Sequence, residues 1–389
     1  MITLKKIYLL ILGMFALGVD AYVMAGILPS IAEDFGVSIG KAGQTVSIFT
    51  LCYAIAAPLF ATVMSKINTK NTLLSALSIF IVSNIITAIT HNFMFLLISR
   101  GLAGIGAGLY SPLASAAAVQ LVHEKKRGKA LSTILLGMSA GTVIGVPLGI
   151  YISSVYEWRM TIWFIIVIGL LGICAILFGF PVIKSTNLPT LKERLVMFKH
   201  KDISLLMLVT MILSFCSLGL YTYLDIIMAA YGFEKSIMFI WMWGIGGIAG
   251  SFIIGYIMDV YKKPKVILIN LMIIMFLSLT FMGIFHHISF LVVTCLILWG
   301  ATGWASLATQ QKTLVEISPE HATISIALLS SINYFAGSIG TMTNGIFLER
   351  GIHPIQLPYL SVGILAIAIV LQFSSISPNL LTKRFKLKN

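Results

Sequence analysis

Three ionisable side chains stand inside stretches otherwise too apolar for water: Asp20, Arg100 and Asp225. A charge at the centre of a bilayer costs roughly 2.5 to 3.5 kcal/mol on insertion scales, so each implies a partner, a water-lined path or neutralisation. Asp20 lies about eight residues below the outer end of its run and Arg100 about as far below the outer end of its own. At a rise of about 1.5 Å per residue both are some 10 to 12 Å deep. If the two runs adjoin, carboxylate and guanidinium can meet. Two chemistries are then open for Asp20: a static buried ion pair, or a carboxyl that binds and releases a proton. Arg100 either holds backbone or tunes Asp20. Asp225, about six residues from the outer end of its run, is expected at a wet rim, with a second proton or cation site as the alternative.

A second set carries polar handles well inside apolar runs: Tyr22, Tyr53, Tyr110, Trp243, Trp299, Asn333 and Tyr334. An aromatic ring in such a run is more often packing or an interface anchor than a ligand contact, so only some of these candidates for a substrate cavity are expected to touch substrate. The four cysteines, Cys52, Cys174, Cys216 and Cys295, form no CxxC and read as small apolar residues. The histidines lie in loops or near run ends and form no metal-ligand cluster, and nothing resembles a nucleotide-binding loop or a hydrolytic triad. These readings point away from an enzyme, a metal, a cofactor and direct ATP drive.

The elements that must position these residues follow from composition. Apolar residues make up 58% of the 389, charged residues only 10%, and the mean hydropathy is +1.00, outside the range of a soluble globular domain. Twelve windows are long enough to cross roughly 30 Å of hydrocarbon, the first over Ile7–Leu28, the seventh over Ile203–Ala230 and the last over Leu357–Phe373. Lys5 and Lys6 before the first window mimic a signal peptide, but no small-residue cleavage site follows and the window contains Asp20, so it is read as a span. Two bundles of six helices are expected, over residues 1–181 and 203–377, with a cytoplasmic linker at 182–202 and a basic tail at 378–389.

The net charge of +13 has a topological explanation. Twenty-one Lys and Arg fall on the side of the amino terminus and four on the other, with Arg100 inside a span completing the 26. Short cytoplasmic loops collect positive charge, so both termini are expected in the cytoplasm of a multi-pass plasma-membrane protein, and no nucleic acid is needed to account for the charge. In the linker, Leu188 to Lys199 mixes basic and apolar residues, which suits either a short helix on the anionic inner leaflet or a solvated connection. The two bundles repeat weakly: a shift of about 196 residues sets Gly141 over Gly337 and Gly149 over Gly345.

The fifth window carries Gly137, Gly141, Gly145 and Gly149 at spacing four, with Pro147 among them. In water this would be a poor helix; in a membrane it is a smooth, close-packing and slightly kinked one. Gly141, Gly145, Pro147 and Gly149 resemble the antiporter signature of the fifth helix in the major facilitator superfamily. Gly255-x3-Asp259-x2-Lys262-Lys263 is similar to that superfamily's loop element between paired helices, whereas the matching earlier loop departs from it, with Thr62 in place of Gly and Lys66 in place of Asp. Arg100-x3-Gly104-x-Gly106, Arg127-Gly-Lys-Ala130 and Glu157-Trp158-Arg159 also look like its landmarks. Within it, Gly18-Val-Asp20 through Pro29 and Trp299-Gly-Ala-Thr-Gly-Trp304 most resemble the twelve-span drug:proton antiporters of the arabinose-efflux-like, purine efflux and chloramphenicol-resistance branch.

The resemblance implies an all-α membrane protein with the major facilitator fold, twelve transmembrane helices in two six-helix halves. It further implies proton-coupled export of a small drug-like, purine, nucleoside or sugar-like molecule by a monomer in the lipid bilayer, without a cofactor, through alternating access at a site near the midplane. The glycine stripe of helix 5 is expected to pack on helix 8, whose Gly246-x3-Gly250 offers a second smooth face. An importer of the same fold and a non-transporting membrane sensor are the rival readings; the helix 5 signature counts against the first, and short loops without room for a signalling domain against the second.

Overall fold

The computed structural model describes residues 6–64, 66–123, 126–183, 189–233, 236–261 and 263–386, and every regular element among them is helical. Helix is what the solvent demands, because a chain crossing lipid must satisfy each backbone N–H and C=O internally. Twelve helices are long and apolar enough to cross a membrane: α1 Tyr8–Asp34, α2 Ile39–Phe60, α3 Thr69–Ile89, α4 Phe93–Gln120, α5 Lys129–Val155, α6 Trp158–Gly179, α7 Lys201–Tyr221, α8 Ile237–Tyr261, α9 Pro264–Ile284, α10 Ser289–Ile317, α11 Ile324–Glu349 and α12 Pro354–Phe373.

The ends of these helices are written locally. Asn68 Oδ1 accepts the Asn71 N–H at 2.9 Å and starts α3; Asn92 Oδ1 accepts the N–H groups of Met94 and Phe95 at 2.9 and 3.3 Å and starts α4. α1 stops at Gly36, whose φ of +60° only glycine adopts cheaply, and the Val37 N–H closes back on the Ala32 carbonyl at 3.0 Å. The short helix Leu224–Ala230 after α7 stops in the same way, at Gly232 with φ +89° and the Phe233 N–H on the Met228 carbonyl at 3.0 Å. All three positions are displaced by the same 196 residues, so the repeat extends to hydrogen bonds.

The chain forms two compact units. The first comprises Met1–Leu191 with the short pieces Thr222–Asp225 and Thr341–Arg350; the second comprises Lys192–Tyr221, Ile226–Gly340 and Gly351–Asn389. The division within the linker falls before Lys192, so most of the linker helix Leu191–Val196 belongs to the second unit.

Two spans differ from their expected bounds. α1 runs on through Pro29 to Asp34 rather than ending at Leu28, which puts Asp20 near the middle of the helix, fourteen residues or about 21 Å from its end. α7 ends at Tyr221, and Thr222 and Tyr223 form a turn before Leu224–Ala230. There the Thr222 hydroxyl bonds that of Thr341 at 2.9 Å and the Tyr223 hydroxyl donates to the Thr341 carbonyl at 3.0 Å. Hydropathy cannot register this break, since the apolar residues continue across it.

Candidate functional site

The site is built where α4 threads between α2 and α3. Glycines make that approach possible: a Cβ on Gly104 or Gly108 would meet the carbonyl oxygens of Phe49 or Tyr53 in α2, and one on Gly106 would stand 2.6 Å from the Phe80 nitrogen in α3. One turn earlier, where the same packing is closed, α4 carries Arg100.

Arg100 and Asp20 are both fully buried, and Arg100 Nη1 donates to Asp20 Oδ1 at 2.8 Å. The same Nη1 reaches Asn84 Oδ1 in α3 at 3.3 Å, and Asn84 in turn donates from Nδ2 to the Phe80 carbonyl at 3.0 Å. The guanidinium lies over the Phe49 ring, 4.7 Å from its centroid, a cation–π contact that strengthens in a dry environment. Arg100 is therefore held from three helices at once, α1, α2 and α3. The pair is also incompletely satisfied: Asp20 Oδ2 and Arg100 Nε and Nη2 are buried with no hydrogen-bond partner among the described residues. In low dielectric such atoms cost free energy. Asn84 and Phe49 were not anticipated, although a lone asparagine in the middle of the third apolar window is a signal that a polar partner is near.

The aromatic candidates divide. From Phe49 the contact chain continues to Tyr53 at 6.3 Å between centroids, and Tyr22 is half-buried. Tyr53 is thus one ring removed from Arg100, through Phe49. Tyr110 is fully buried, fills the space a side chain at Gly13 would need, and donates to the Leu10 carbonyl at 3.1 Å. Trp243 and Trp299 are likewise enclosed, 6.1 Å apart, with Trp243 tilted against Tyr221 at 4.3 Å between centroids and Trp299 Nε1 donating to Ser217 Oγ at 2.9 Å. These three rings are enclosed by packing. Asn333 is half-buried and accepts from Ser214 Oγ through Oδ1 at 2.7 Å; Tyr334 beside it is also half-buried. Asp225 sits in the first turn of Leu224–Ala230, where an acid complements the helix dipole, and so lies beyond the end of α7 rather than within a span.

The helix 5 stripe meets α1. A Cβ at Gly137 would touch Ile11 and Met14, one at Gly141 the Phe15 carbonyl, one at Gly145 the Val19 side chain and Phe15 ring, and one at Gly149 Val23 and Thr161. Gly246 and Gly250 are taken up by the Ile297 and Ala301 carbonyls of α10. The expected pairing of helix 5 with helix 8 is therefore corrected, each stripe being occupied inside its own unit. Residues Gly141–Gly145 form a π turn, and Pro147 follows in Val146–Val155; the proline supplies no N–H to the turn before it, and a wider turn is one way a helix absorbs that loss.

Of the loop motif, Gly255 has open space where a Cβ would go, and Asp259 pairs with Lys312 at 3.5 Å on an exposed surface. Lys263 precedes α9, while Lys262 lies outside the described residues. Arg159, from the expected landmark before α6, binds Asp34 at 2.7 Å and the Thr90 carbonyl at 2.9 Å, tying α6 to the ends of α1 and α3. No group of three or more His, Cys, Asp or Glu that would hold a metal occurs among the described residues.

Twelve apolar helices in two units, with a buried ion pair inside one of them, describe a multi-pass membrane protein of the transporter kind. The chain belongs to the Major Facilitator Superfamily, which it matches over residues 10–341. Among curated relatives it is 28% identical to the uncharacterized MFS-type transporter YbcL of Bacillus subtilis (strain 168), over 89% of each chain. It is 25% identical to the putative transporter AraJ of Escherichia coli (strain K12), over 98% of this chain and 96% of that one, and 22% identical to a probable sugar efflux transporter of Helicobacter acinonychis (strain Sheeba), over 94% of each. Among solved structures, the bacterial homolog of the human lysosomal transporter Spinster, in its inward-facing and occupied conformation, superposes with a TM-score of 0.74 at 16% identity, over 94% of this chain and 95% of that one. The shared architecture is that of transporters.

Proposed function

We propose that the protein is a proton-coupled antiporter that exports small organic molecules across the cytoplasmic membrane by alternating access, with both termini in the cytoplasm. Asp20 takes up and releases the coupling proton, and Arg100 competes with that proton for the carboxylate. The observation that carries this reading is the buried Asp20–Arg100 pair with Asp20 Oδ2 left unpartnered. A purely structural ion pair is expected to use up its hydrogen-bonding groups, because a half-satisfied buried pair is a net cost. Here the pair is held in place by Asn84 and Phe49 yet keeps one acceptor free, an arrangement that suits a reversible proton site. Tyr53, which continues from Phe49, is the residue of this unit best placed to pass the state of the pair to a bound substrate. The export direction draws support from the helix 5 signature and from the similarity to a probable sugar efflux transporter of Helicobacter acinonychis.

Energetically a single proton suffices. About 2.3 kcal/mol per charge per 100 mV, set against about 1.4 kcal/mol per tenfold gradient, sustains an outward gradient of about forty-fold. The test uses inverted membrane vesicles with an acidic lumen and a panel of cationic drugs, phenicols, sugars and purine nucleosides. At least one substrate is expected to enter the lumen while dissipating the pH gradient. Substrate movement indifferent to the gradient, or driven the other way, overturns the assignment.

A further inference from the structure

The linker helix Leu191–Val196, continued by a short turn Met197–Lys199, has one face pinned to the second unit. Arg194 is 3% exposed and donates to the Ala327 carbonyl at 2.8 Å and to Ser331 Oγ at 2.7 Å, both in the first turns of α11. Burial lowers its pKa to about 10, so it remains charged at neutral pH. Met197, one turn on, is also buried and receives the Ser325 hydroxyl on its sulfur at 3.6 Å. The linker is equally constrained at its far end. Ser204, inside the first turn of α7, donates to the Phe198 carbonyl at 2.7 Å, and α7 starts at Lys201. A segment that enters a transmembrane helix two residues after it ends, and is tethered to the start of another, is confined to the membrane boundary.

With Arg194 and Met197 facing inward, the opposite face is set by helical spacing. It presents Leu195 and Val196, with Leu195 54% exposed, and is flanked by the exposed Leu191 and Phe198, which lie three and four residues from Arg194, together with the exposed Lys192, Glu193, Lys199 and Lys201. Apolar side chains flanked by lysines at a bilayer surface match one partner: apolar residues sink to the level of the upper acyl chains while ammonium groups meet phosphate. The side of the membrane assigned to this segment by the distribution of Lys and Arg is the cytoplasmic one. We infer that the outward face of residues 191–199 is a docking surface for anionic phospholipids of the inner leaflet, with Lys192 and Lys199 holding headgroups and Leu195 and Phe198 inserted beneath them. Arg194 is the peg that aims this face at the lipid.

The test places a spin label at Leu195→Cys in full-length protein whose four native cysteines are replaced. The protein is reconstituted in vesicles of phosphatidylcholine alone and of phosphatidylcholine with phosphatidylglycerol. Collision with oxygen against collision with a water-soluble nickel chelate reports immersion. The label is expected to be shielded from nickel in the anionic vesicles. Replacing Lys192 and Lys199 by Gln is expected to restore nickel access, each lysine weakening the preference for phosphatidylglycerol about five-fold. Equal nickel access in both vesicles makes the segment a solvated linker and overturns the inference. Shielding that is indifferent to lipid charge and to the lysines shows that protein covers the face, and overturns it as well. Circular dichroism and a monodisperse elution profile on the same samples distinguish either result from misfolding.

Discussion

Asp20 and Arg100 share a single hydrogen bond of 2.8 Å, made by one guanidinium nitrogen and one carboxylate oxygen, at a depth where neither side chain has any exposed surface. A bidentate pair would have engaged Oδ2 as well. Asp20→Asn keeps an acceptor for Arg100 but removes the proton site. Uphill, pH-driven export is expected to vanish while downhill exchange or substrate binding persists. Because the variant leaves a buried cation unpaired, it also costs about 3 to 5 kcal/mol of stability, and Asp20→Asn/Arg100→Gln serves as the better-folded companion. Intact pH-driven export in either variant removes Asp20 from the coupling role.

Arg100 is predicted to set the pH range of transport. Without the cation, the proton has no competitor for the carboxylate, so in Arg100→Ala the transport profile moves toward alkaline pH, and in Arg100→Lys it moves less. Lysine retains the charge but loses the planar contact with Phe49. Initial rates of export measured across pH decide this, an unmoved profile with persisting flux showing that the two residues do not communicate.

The contact between α5 and α1 is predicted to be graded by what each glycine faces. Gly141 abuts backbone, the Phe15 carbonyl, which cannot rotate away; Gly145 abuts the tip of Val19. Gly141→Ala is expected to reduce folded yield severely. Gly145→Ala is milder and is rescued by Val19→Ala, which vacates the clashing methyl. Detergent melting curves of the three variants provide the comparison, and equal damage at both glycines counts against the geometry.

Tyr110→Phe is expected to lose about 1 kcal/mol through the hydrogen bond to the Leu10 carbonyl, with substrate affinity unchanged. A changed substrate profile in this variant returns Tyr110 to the cavity.

Asp259→Asn removes an exposed ion pair with Lys312 and is expected to change stability by no more than about 1 kcal/mol, and Gly255→Ala fills open space. Any transport defect in either variant, with thermal stability held, then reports on the transport cycle rather than on folding.

Much of the fold is legible in the residues themselves. Asn68 and Asn92 announce the starts of α3 and α4, and Gly36 and Gly232 the stops of α1 and of Leu224–Ala230, because these residue types solve local problems of unpaired backbone. The meeting of Asp20 and Arg100 is also readable, since two opposite charges in lipid have few other options. Three things are not. The break after Tyr221 is made by side-chain bonds to Thr341, 118 or more residues away. The partners of the glycine stripes depend on tertiary packing, and small residues at spacing four suit many neighbours. The repeat itself misleads at the site: the offset relating Gly36 to Gly232 carries Asp20 onto Cys216 and Arg100 onto Leu296, both apolar and buried, so the ion pair belongs to one copy alone.

The π turn in α5 also governs how much length change this helix tolerates. In a regular α-helix, residues four apart drift by about 40° around the axis, and four glycines at that spacing would spiral away from a straight neighbour. All of Gly137, Gly141, Gly145 and Gly149 nevertheless meet α1 or the α6 residue beside it, in order along its length, because the wider turn at Gly141–Gly145 resets the phase between the first and last of them. Deleting one residue there would be absorbed by a return to regular helix, whereas deleting one elsewhere in α5 before Pro147 would swing Pro147 and everything after it by about 100°. Gly149 would leave Val23, and the Thr161 hydroxyl would lose the Gly149 carbonyl that it holds at 2.6 Å. The helix thus works as a counted spacer everywhere but at this turn, where it carries one residue in reserve.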